Sequence, residues 1–247
     1  MGPQEYEIMY SVEDHHWWYL GMEAITRAIL NRWYAPGANL SILDAGCGTG
    51  AALTSYLAEY GAVTGFDLSE IALAFCRKRK ATRLAQASVT DLPFASESFD
   101  LLTSFDVLYE RGVVDDAASL TEFSRVLVKG GRALLRLPAY DWLRGQHDVG
   151  IHTARRYTAG EVKDLLRKTG FSVEIISYAD TFLFPAALVK RMAERIWPPP
   201  VDQSDLTWNA GSLDHLLRNI LSFEAPFVSR IGLPFGLSVI AVGEKNE

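Results

Sequence analysis

Three glycines at alternate positions mark a segment that is suited to hold a ligand, Asp44-Ala45-Gly46-Cys47-Gly48-Thr49-Gly50. Glycine allows the backbone to turn tightly and to approach a bound molecule without steric conflict from a Cβ atom. A helix that follows such a turn presents unpaired N–H groups to a ligand. Asp67 stands 19 residues after Gly48, at the end of the next apolar run, where a carboxylate can accept hydrogen bonds from both hydroxyls of a ribose. The spacing predicts a site for a nucleoside cofactor.

Asp44, within the turn, indicates which of two kinds of cofactor the site would bind. A dinucleotide site follows the pattern G-x-G-x-x-G and must surround a diphosphate, which a carboxylate would repel. The pattern here is D-x-G-x-G-x-G, and its carboxylate favours a cation such as the ammonium or sulfonium group of S-adenosylmethionine. A nicotinamide-dependent oxidoreductase and a plain strand-to-helix turn are the alternatives.

A second group of residues with chemical potential follows the fifth apolar run. His147 and His152 have side chains with an ordinary pKa of about 6.5, and either could remove a proton from a hydroxyl or an amine. We predict these two histidines as catalytic residues. Arg155 and Arg156 could hold the phosphate or carboxylate of an anionic acceptor. The alternative is a loop held by its own hydrogen bonds, with the arginines on carbonyl oxygens and a histidine on Asp148.

Two adjacent histidines, His15 and His16, open a helical pattern before the first strand. They have no carboxylate or cysteine at a matching spacing, so no metal site is predicted. Trp17 and Trp18 follow directly. These two rings either pack the N-terminal segment onto the core or close it over a bound cofactor.

Short apolar runs alternate with helical patterns along the chain, which is typical of a parallel sheet with crossover helices. The predicted strands are residues 40–43, 63–66, 83–87, 100–104, 132–137, 171–178 and 237–242. The predicted helices are residues 49–60, 69–80, 116–128 and 158–168. The loop with the two predicted catalytic histidines then lies at the carboxyl end of the sheet, where open α/β folds bind ligands.

Residues 181–235 interrupt this alternation before the last strand. Loops of that length without secondary structure are uncommon in compact domains, so two helices joined by a Pro-rich turn are predicted. Leu213, Leu216, Leu217 and Ile220 form an apolar stripe that must be buried. We interpret the insertion as a lid over an acceptor pocket, with a third packing layer or a dimer interface as the alternatives.

Four segments, in order, resemble the motifs of the class I S-adenosylmethionine-dependent methyltransferases. They are the glycine turn, Gly65-Phe66-Asp67-Leu68-Ser69, residues 87–94 with 98–100, and residues 122–131. The resemblance covers residues 40–137. It implies a Rossmann-like α/β fold with helices on both faces of a seven-stranded sheet of order 3-2-1-4-5-7-6, whose last strand is antiparallel.

The resemblance also implies how the methionine end of S-adenosylmethionine is held. Asp44, Gly46 and Gly48 would surround the methionine moiety, and Cys47 would be a small residue of the same turn. Ser104 would end the fourth strand beneath that moiety.

At the adenosine end, Asp67 would hold the ribose and Leu68 would pack on the adenine. The backbone N–H of Val89 would bind the adenine ring. Relatives often have aspartate where this chain has Ser88, so the contact with the exocyclic amine is expected to be weaker or mediated by water.

Residues 13–21 resemble an N-terminal cap, written roughly H-W-W-x-x-G-R, that is found in some bacterial small-molecule methyltransferases. Met22 stands where that pattern has arginine, so no ion pair with the cofactor carboxylate is expected from this position. We divide the chain into a helical cap, residues 1–38, and a methyltransferase domain, residues 39–247, that includes the insertion at 181–235.

Composition excludes several partners. The 247 residues carry a net charge of −6, the opposite balance from chains that neutralise nucleic-acid phosphates. Two cysteines cannot build a disulfide framework, which favours a reducing compartment. The longest apolar stretch, residues 182–189, is far shorter than the roughly 20 residues of a membrane span. We expect a soluble, cytoplasmic monomer or homodimer with no nucleic-acid partner.

These observations predict a methyltransferase that uses S-adenosylmethionine, releases S-adenosylhomocysteine and acts on a small molecule. Displacement at a sulfonium methyl needs chiefly positioning and desolvation, and a base is needed where the attacking atom must lose a proton. Oxygen or nitrogen is favoured over carbon as that atom. The alternative is a protein that binds S-adenosylmethionine through the same fold without transferring its methyl group.

Overall fold

The computed structural model describes residues 2–145, 148, 153–196 and 211–246. Its strands are β1 (Leu40–Ala45), β2 (Gly61–Asp67), β3 (Leu84–Gln86), β4 (Phe99–Phe105), β5 (Leu127–Pro138), β6 (Phe171–Ala179) and β7 (Ser238–Lys245). In the described part of the chain they form one seven-stranded sheet of order β3-β2-β1-β4-β5-β7-β6. The order predicted from the sequence is confirmed.

Strand direction determines where a ligand can bind. The neighbours from β3 through β5 are parallel, whereas β7 is antiparallel to both β5 and β6. The carboxyl ends of β1 to β6 therefore lie along one edge, and ligands of open α/β sheets bind in the crevice outside that edge. Four aspartates stand at or just after these ends: Asp44, Asp67, Asp106 and Asp180.

The helices are α1 (Pro3–Val12), α2 (Trp17–Leu30), α3 (Ala51–Thr54), α4 (Glu70–Lys78), α5 (Asp116–Val126), α6 (Ala159–Lys168), α7 (Phe184–Ile196) and α8 (Asp214–Arg230). Side chains alternate between the two faces of a strand, and β1 shows this directly. Ile42 belongs to the buried cluster that includes residues of α2 and α8, whereas Leu43 belongs to the cluster that includes residues of α5 and α6. The sheet is therefore covered on both faces, as expected.

The predicted helix over residues 49–60 is wrong in its extent. The chain forms only α3 and then a separate 3-10 turn, Leu57–Glu59. The hydroxyls of Thr54 and Ser55 donate to the carbonyl oxygens of Gly50 and Ala51, and such local bonds compete with continued helix formation. The apolar residues that suggested the helix, Leu53, Leu57 and Tyr60, are nevertheless buried.

The helix predicted over residues 116–128 ends two residues early. Leu127 adopts an extended conformation with ψ of 144° and pairs with Phe99 of β4. Pairing with a buried strand thus begins β5 at Leu127, ahead of the predicted start at residue 132.

The insertion at 181–235 contains α7 and α8, close to the two predicted helices, while the predicted Pro-rich turn falls within residues 197–210, outside the described residues. The predicted burial of the stripe is wrong, because Leu213 and Leu216 are 52% and 54% exposed and Leu217 and Ile220 are only partly buried. Instead α8 buries Leu221, Ala225 and Val228, and α2 is its main neighbour. Across the described part of the chain, no helix has the length and apolar character needed to span a membrane.

Candidate functional site

A cavity of about 730 Å³ opens at the carboxyl edge of the sheet. Its walls come from α1, α2 and α7, from the turns after β1, β2, β4 and β5, and from residues 87–89. A smaller cavity of about 200 Å³ adjoins it and shares wall residues with it, among them Gly46, Phe105 and Arg136. The two together offer room for an extended cofactor and a second molecule.

The glycine turn forms the boundary between the two cavities. Gly46 and Gly48 have φ angles of 73° and 55°, a region that side-chain-bearing residues rarely adopt. A Cβ on Gly46 would lie 2.4 Å from Cγ2 of Val107, and one on Gly48 would lie 3.0 Å from Cε of Met9. The turn therefore requires glycine both for its conformation and for the close approach of neighbouring side chains.

Asp67 lies at the end of β2, on the wall of the larger cavity. Its Oδ2 accepts a hydrogen bond from the N–H of Gly48 at 3.0 Å, and its Oδ1 accepts one from Ser69 at 2.8 Å. Burial raises the pKa of this carboxyl, and these two backbone donors act against the rise. Each oxygen keeps a further acceptor position, so the carboxylate is oriented and can accept two more hydrogen bonds.

The predicted adenosine residues come together around Asp67. Leu68, Ser88 and Val89 line the same cavity. Leu68 is 65% exposed, which leaves an apolar surface available for a planar ring. The hydroxyl of Ser88 forms a hydrogen bond with the hydroxyl of Thr90 at 2.8 Å, and this partner limits its availability for a ligand.

Helix α1 contributes a wall that the sequence prediction missed. Tyr6 and Met9 line the larger cavity beside Asp67 and Gly48, and Tyr6 packs with Ala72 and Phe75 of α4. The apolar positions of α1 at a spacing of three and four residues were the available signal.

Asp44 lines the smaller cavity together with Cys47. The Thr103 hydroxyl donates to Oδ1 of Asp44 at 2.7 Å. Burial raises the pKa of Asp44 to about 6, against the effect of that hydrogen bond. A cation bound beside it would favour the ionised form.

Two other predicted cofactor residues differ in their placement. Cys47 lies 3.7 Å from Cys76, sulfur to sulfur, and this neighbour together with burial raises the pKa of its thiol, so it is a neutral wall residue. Ser104 is buried in β4 and is not among the residues that line either cavity. Its neighbour Phe105 lines both, because successive side chains of a strand face opposite sides.

The far end of the larger cavity centres on the ion pair of a buried arginine. Nε of Arg136, on β5, donates to Oδ2 of Asp106 at 2.6 Å. The guanidinium also lies 4.7 Å from the ring centroid of Trp18 and 4.9 Å from that of Phe105. The Trp18 ring therefore packs on a charged group that faces the site. Neither Arg136 nor this stacking was predicted from the sequence.

Asp180 completes this end of the cavity. It follows β6 directly, is 1% exposed and lines the larger cavity. An aspartate at the carboxyl end of a predicted strand, as at Asp67, was the signal that the sequence prediction did not use.

The arginines of the loop after β5 are engaged within the protein. Arg155 pairs with Asp116 at 2.7 Å, and Arg156 pairs with both carboxylate oxygens of Asp148 at 2.8 and 3.0 Å. These contacts support the alternative in which the loop is held by its own interactions. His147 and His152 lie outside the described residues, so their catalytic role stays a prediction. No cluster of metal-ligating side chains occurs among the residues described.

A family model described as a methyltransferase domain matches residues 43–135. The chain is 36% identical over 121 residues to a demethylmenaquinone methyltransferase of Clavibacter sepedonicus, covering 47% of this chain and 48% of the relative. It is 34% identical over 142 residues to a ubiquinone/menaquinone biosynthesis C-methyltransferase of Roseobacter denitrificans, covering 53% of each. The chain thus spans about half the length of these curated relatives.

A solved structure of a SAM-dependent methyltransferase from Thermotoga maritima aligns along nearly the whole chain. The TM-score is 0.60 at 18% sequence identity, and the alignment covers 98% of this chain and 96% of the other. At this level of identity the likeness establishes the fold.

Proposed function

We propose that this chain is a class I S-adenosylmethionine-dependent methyltransferase and transfers a methyl group from S-adenosylmethionine to a small molecule. The family-model match over residues 43–135 and the similarity to the two curated methyltransferases support this proposal. The carrying observation is that two adjoining cavities share the glycine turn as a wall, with Asp67 lining the larger cavity and Asp44 the smaller one. A cofactor with a ribose at one end and a cation at the other fits this arrangement.

The residues at the carboxyl edge fit this cofactor in both chemistry and space. Asp67 is oriented by two backbone donors and would accept the ribose hydroxyls, and Leu68 would pack on the adenine. Asp44 would attract the ammonium or sulfonium charge. Gly46 and Gly48 give the turn its conformation and allow Val107 and Met9 to approach it closely. Bound there, S-adenosylmethionine supplies an electrophilic methyl group.

The chain's own part in the reaction is positioning and the exclusion of water. Trp17, Trp18 and Leu183 line the larger cavity beyond the cofactor residues and would desolvate the acceptor. We propose oxygen or nitrogen as the attacking atom. His147 and His152 are proposed as bases from the loop after β5.

Residues 181–235 are proposed as one wall of the acceptor site. The larger cavity is lined by Leu183 just before α7, Ala187 on α7 and Leu217 on α8. None of the described side chains of α7 is buried, in contrast to the buried second half of α8. As a lid, α7 should exchange its amide hydrogens faster than β4, and cofactor plus acceptor should slow that exchange. Slow exchange in the empty protein, unaffected by ligands, would support static packing instead.

Calorimetry and methyl-label transfer test the proposed function. S-adenosylmethionine and S-adenosylhomocysteine should bind, and NAD should not, because Asp44 stands where a diphosphate would lie. Label from methyl-labelled S-adenosylmethionine should then appear in small molecules of a cell extract. Binding without any transfer would favour a cofactor-binding protein that lacks methyltransferase activity.

The two cysteines are free thiols, which supports a reducing, cytoplasmic setting.

A further inference from the structure

The Asp180 carboxylate is a buried acceptor whose hydrogen bonding is incomplete. The hydroxyl of Ser238 donates to its Oδ2 at 3.3 Å. Its Oδ1 has no hydrogen-bond donor among the described residues, although it is fully buried. Buried polar atoms are nearly always hydrogen-bonded, and Asp180 lines the larger cavity. A donor carried by a bound molecule would complete its hydrogen bonding.

The backbone around Asp180 is held in place from α8. Asp180 has a φ of 60°, a left-handed conformation that aspartate adopts more readily than most residues. Oε1 of the buried Glu224 accepts the N–H of Phe182 at 2.7 Å. This contact holds the turn after β6 against α8. Together with the hydrogen bond from Ser238 of β7, it fixes the direction of the Asp180 side chain.

Charges from two elements act on Asp180. Burial, and then the charge of Glu224 on α8, raise its pKa to about 7. Trp18 of α2, Ser238 of β7 and Arg136 of β5 act in the opposite direction. The carboxyl therefore changes between its acid and base forms close to neutral pH, where a general base is most useful.

The larger cavity that Asp180 lines is mostly apolar, although Arg136 and Asp106 also line it. Trp17, Leu143, Leu183 and Leu237 line the same cavity. An occupant would bury an apolar body here and would direct one polar, proton-bearing group to Asp180.

We propose that Asp180 binds the O–H or N–H group of an otherwise apolar acceptor and takes its proton during methyl transfer. The inference rests on the proposed function, assigns the base to Asp180 in place of His147 and His152 for this acceptor, and adds the acceptor class. In the step, the attacking oxygen or nitrogen forms a bond to the methyl carbon as the carbon–sulfur bond breaks. The electron pair of that bond stays on sulfur, which becomes a neutral thioether, and the acceptor's proton passes to the Asp180 carboxylate.

A matched pair of probes tests the binding part. 1-Naphthol and its methyl ether, 1-methoxynaphthalene, differ in the one O–H group and are titrated calorimetrically into the chain saturated with S-adenosylhomocysteine. At pH 8 the wild type should bind 1-naphthol at least tenfold more tightly than the ether. At pH 6 the preference should shrink, because a protonated Asp180 is a weaker acceptor.

Two variants test whether Asp180 is the group that causes this pH dependence. Asp180→Asn should show the same small preference at both pH values. Glu224→Gln keeps an oxygen for the Phe182 N–H but removes a charge, so the preference should persist to lower pH. Unchanged affinity for S-adenosylhomocysteine in both variants verifies that the fold is intact.

Transfer of label from methyl-labelled S-adenosylmethionine to 1-naphthol tests the proton transfer. The rate of label transfer should fall about a hundredfold or more in Asp180→Asn. In the wild type, this rate should rise from pH 6 to pH 8. The inference is overturned if the wild-type preference is absent or independent of pH, if Asp180→Asn retains it, or if it is lost in His147→Ala or His152→Ala instead. Wild type that binds 1-naphthol without transferring label also overturns the proton transfer. Failure to bind S-adenosylhomocysteine would overturn the proposed function itself, and this step with it.

Discussion

The cofactor end and the acceptor end of the cavity are built in different ways. Asp44, the glycine turn and Asp67 lie on or between two adjacent parallel strands, and backbone N–H groups of that short stretch orient Asp67. Trp18, Arg136 and Asp180 come from α2, β5 and the end of β6, which are distant in the sequence. The first region is thus a local motif, whereas the second exists only when the whole chain has folded.

The largest expected effect tests the local motif. Asp67→Ala should weaken the binding of S-adenosylmethionine by a hundredfold or more, because two hydrogen bonds to a charged group, each about 1.5–3 kcal/mol, are lost. Calorimetry measures the affinity. Asp91→Ala is the matched control, since Asp91 is exposed, and its affinity should equal that of the wild type. Equal affinities for both variants would show that Asp67 does not hold the ribose.

The next prediction tests the acceptor end of the cavity, which is assembled from distant parts of the chain. Arg136→Met should lower the free energy of unfolding by about 3 kcal/mol, because it leaves the Asp106 carboxylate without its buried partner. Arg132→Met, on the same strand, removes contacts with Glu174 and Glu244 that are closer to solvent, so about 1 kcal/mol or less is expected. Urea unfolding measures both. Equal losses would mean that burial does not distinguish the two pairs.

The two halves of α8 provide a third comparison. Leu221 is buried against α2, where a Cβ on Gly21 would lie 2.5 Å from its Cδ2. Leu221→Ala should therefore cost about 2–5 kcal/mol of unfolding free energy. Leu216→Ala should change it by about 0.5 kcal/mol or less, because that side chain is half exposed. A large loss at Leu216 would contradict the exposure of its side chain.

The smallest effect concerns pH at the cofactor end. Asp44 has a pKa of about 6, so it is ionised above pH 6 and becomes neutral below it. Affinity for S-adenosylmethionine should be constant at higher pH and should fall about tenfold from pH 8 to pH 5 as the attraction for the cation is lost. Asp44→Asn should bind more weakly and should lose most of this dependence. The same acid-side decrease in Asp44→Asn would assign the titration to another group.

Local patterns predicted the sheet well because each strand carries its own signal. Apolar runs marked the strands, two of them ending at Asp44 and Asp67, and the resemblance supplied their order, which the structure confirms. The ends of helices were less predictable. At Ser55 and Leu127, a side-chain hydrogen bond and a strand pairing override the apolar periodicity.

The sequence by itself determined the parallel sheet, the glycine turn and the carboxylates beside it, because these features depend on neighbouring residues and on the shared edge of parallel strands. Tertiary structure alone decided the rest. It paired Arg155 and Arg156 with internal carboxylates and left Leu216 exposed. It also brought Asp180 to the cavity with an acceptor atom that no described residue satisfies. Such outcomes depend on burial and on partners far along the chain, which no local pattern records.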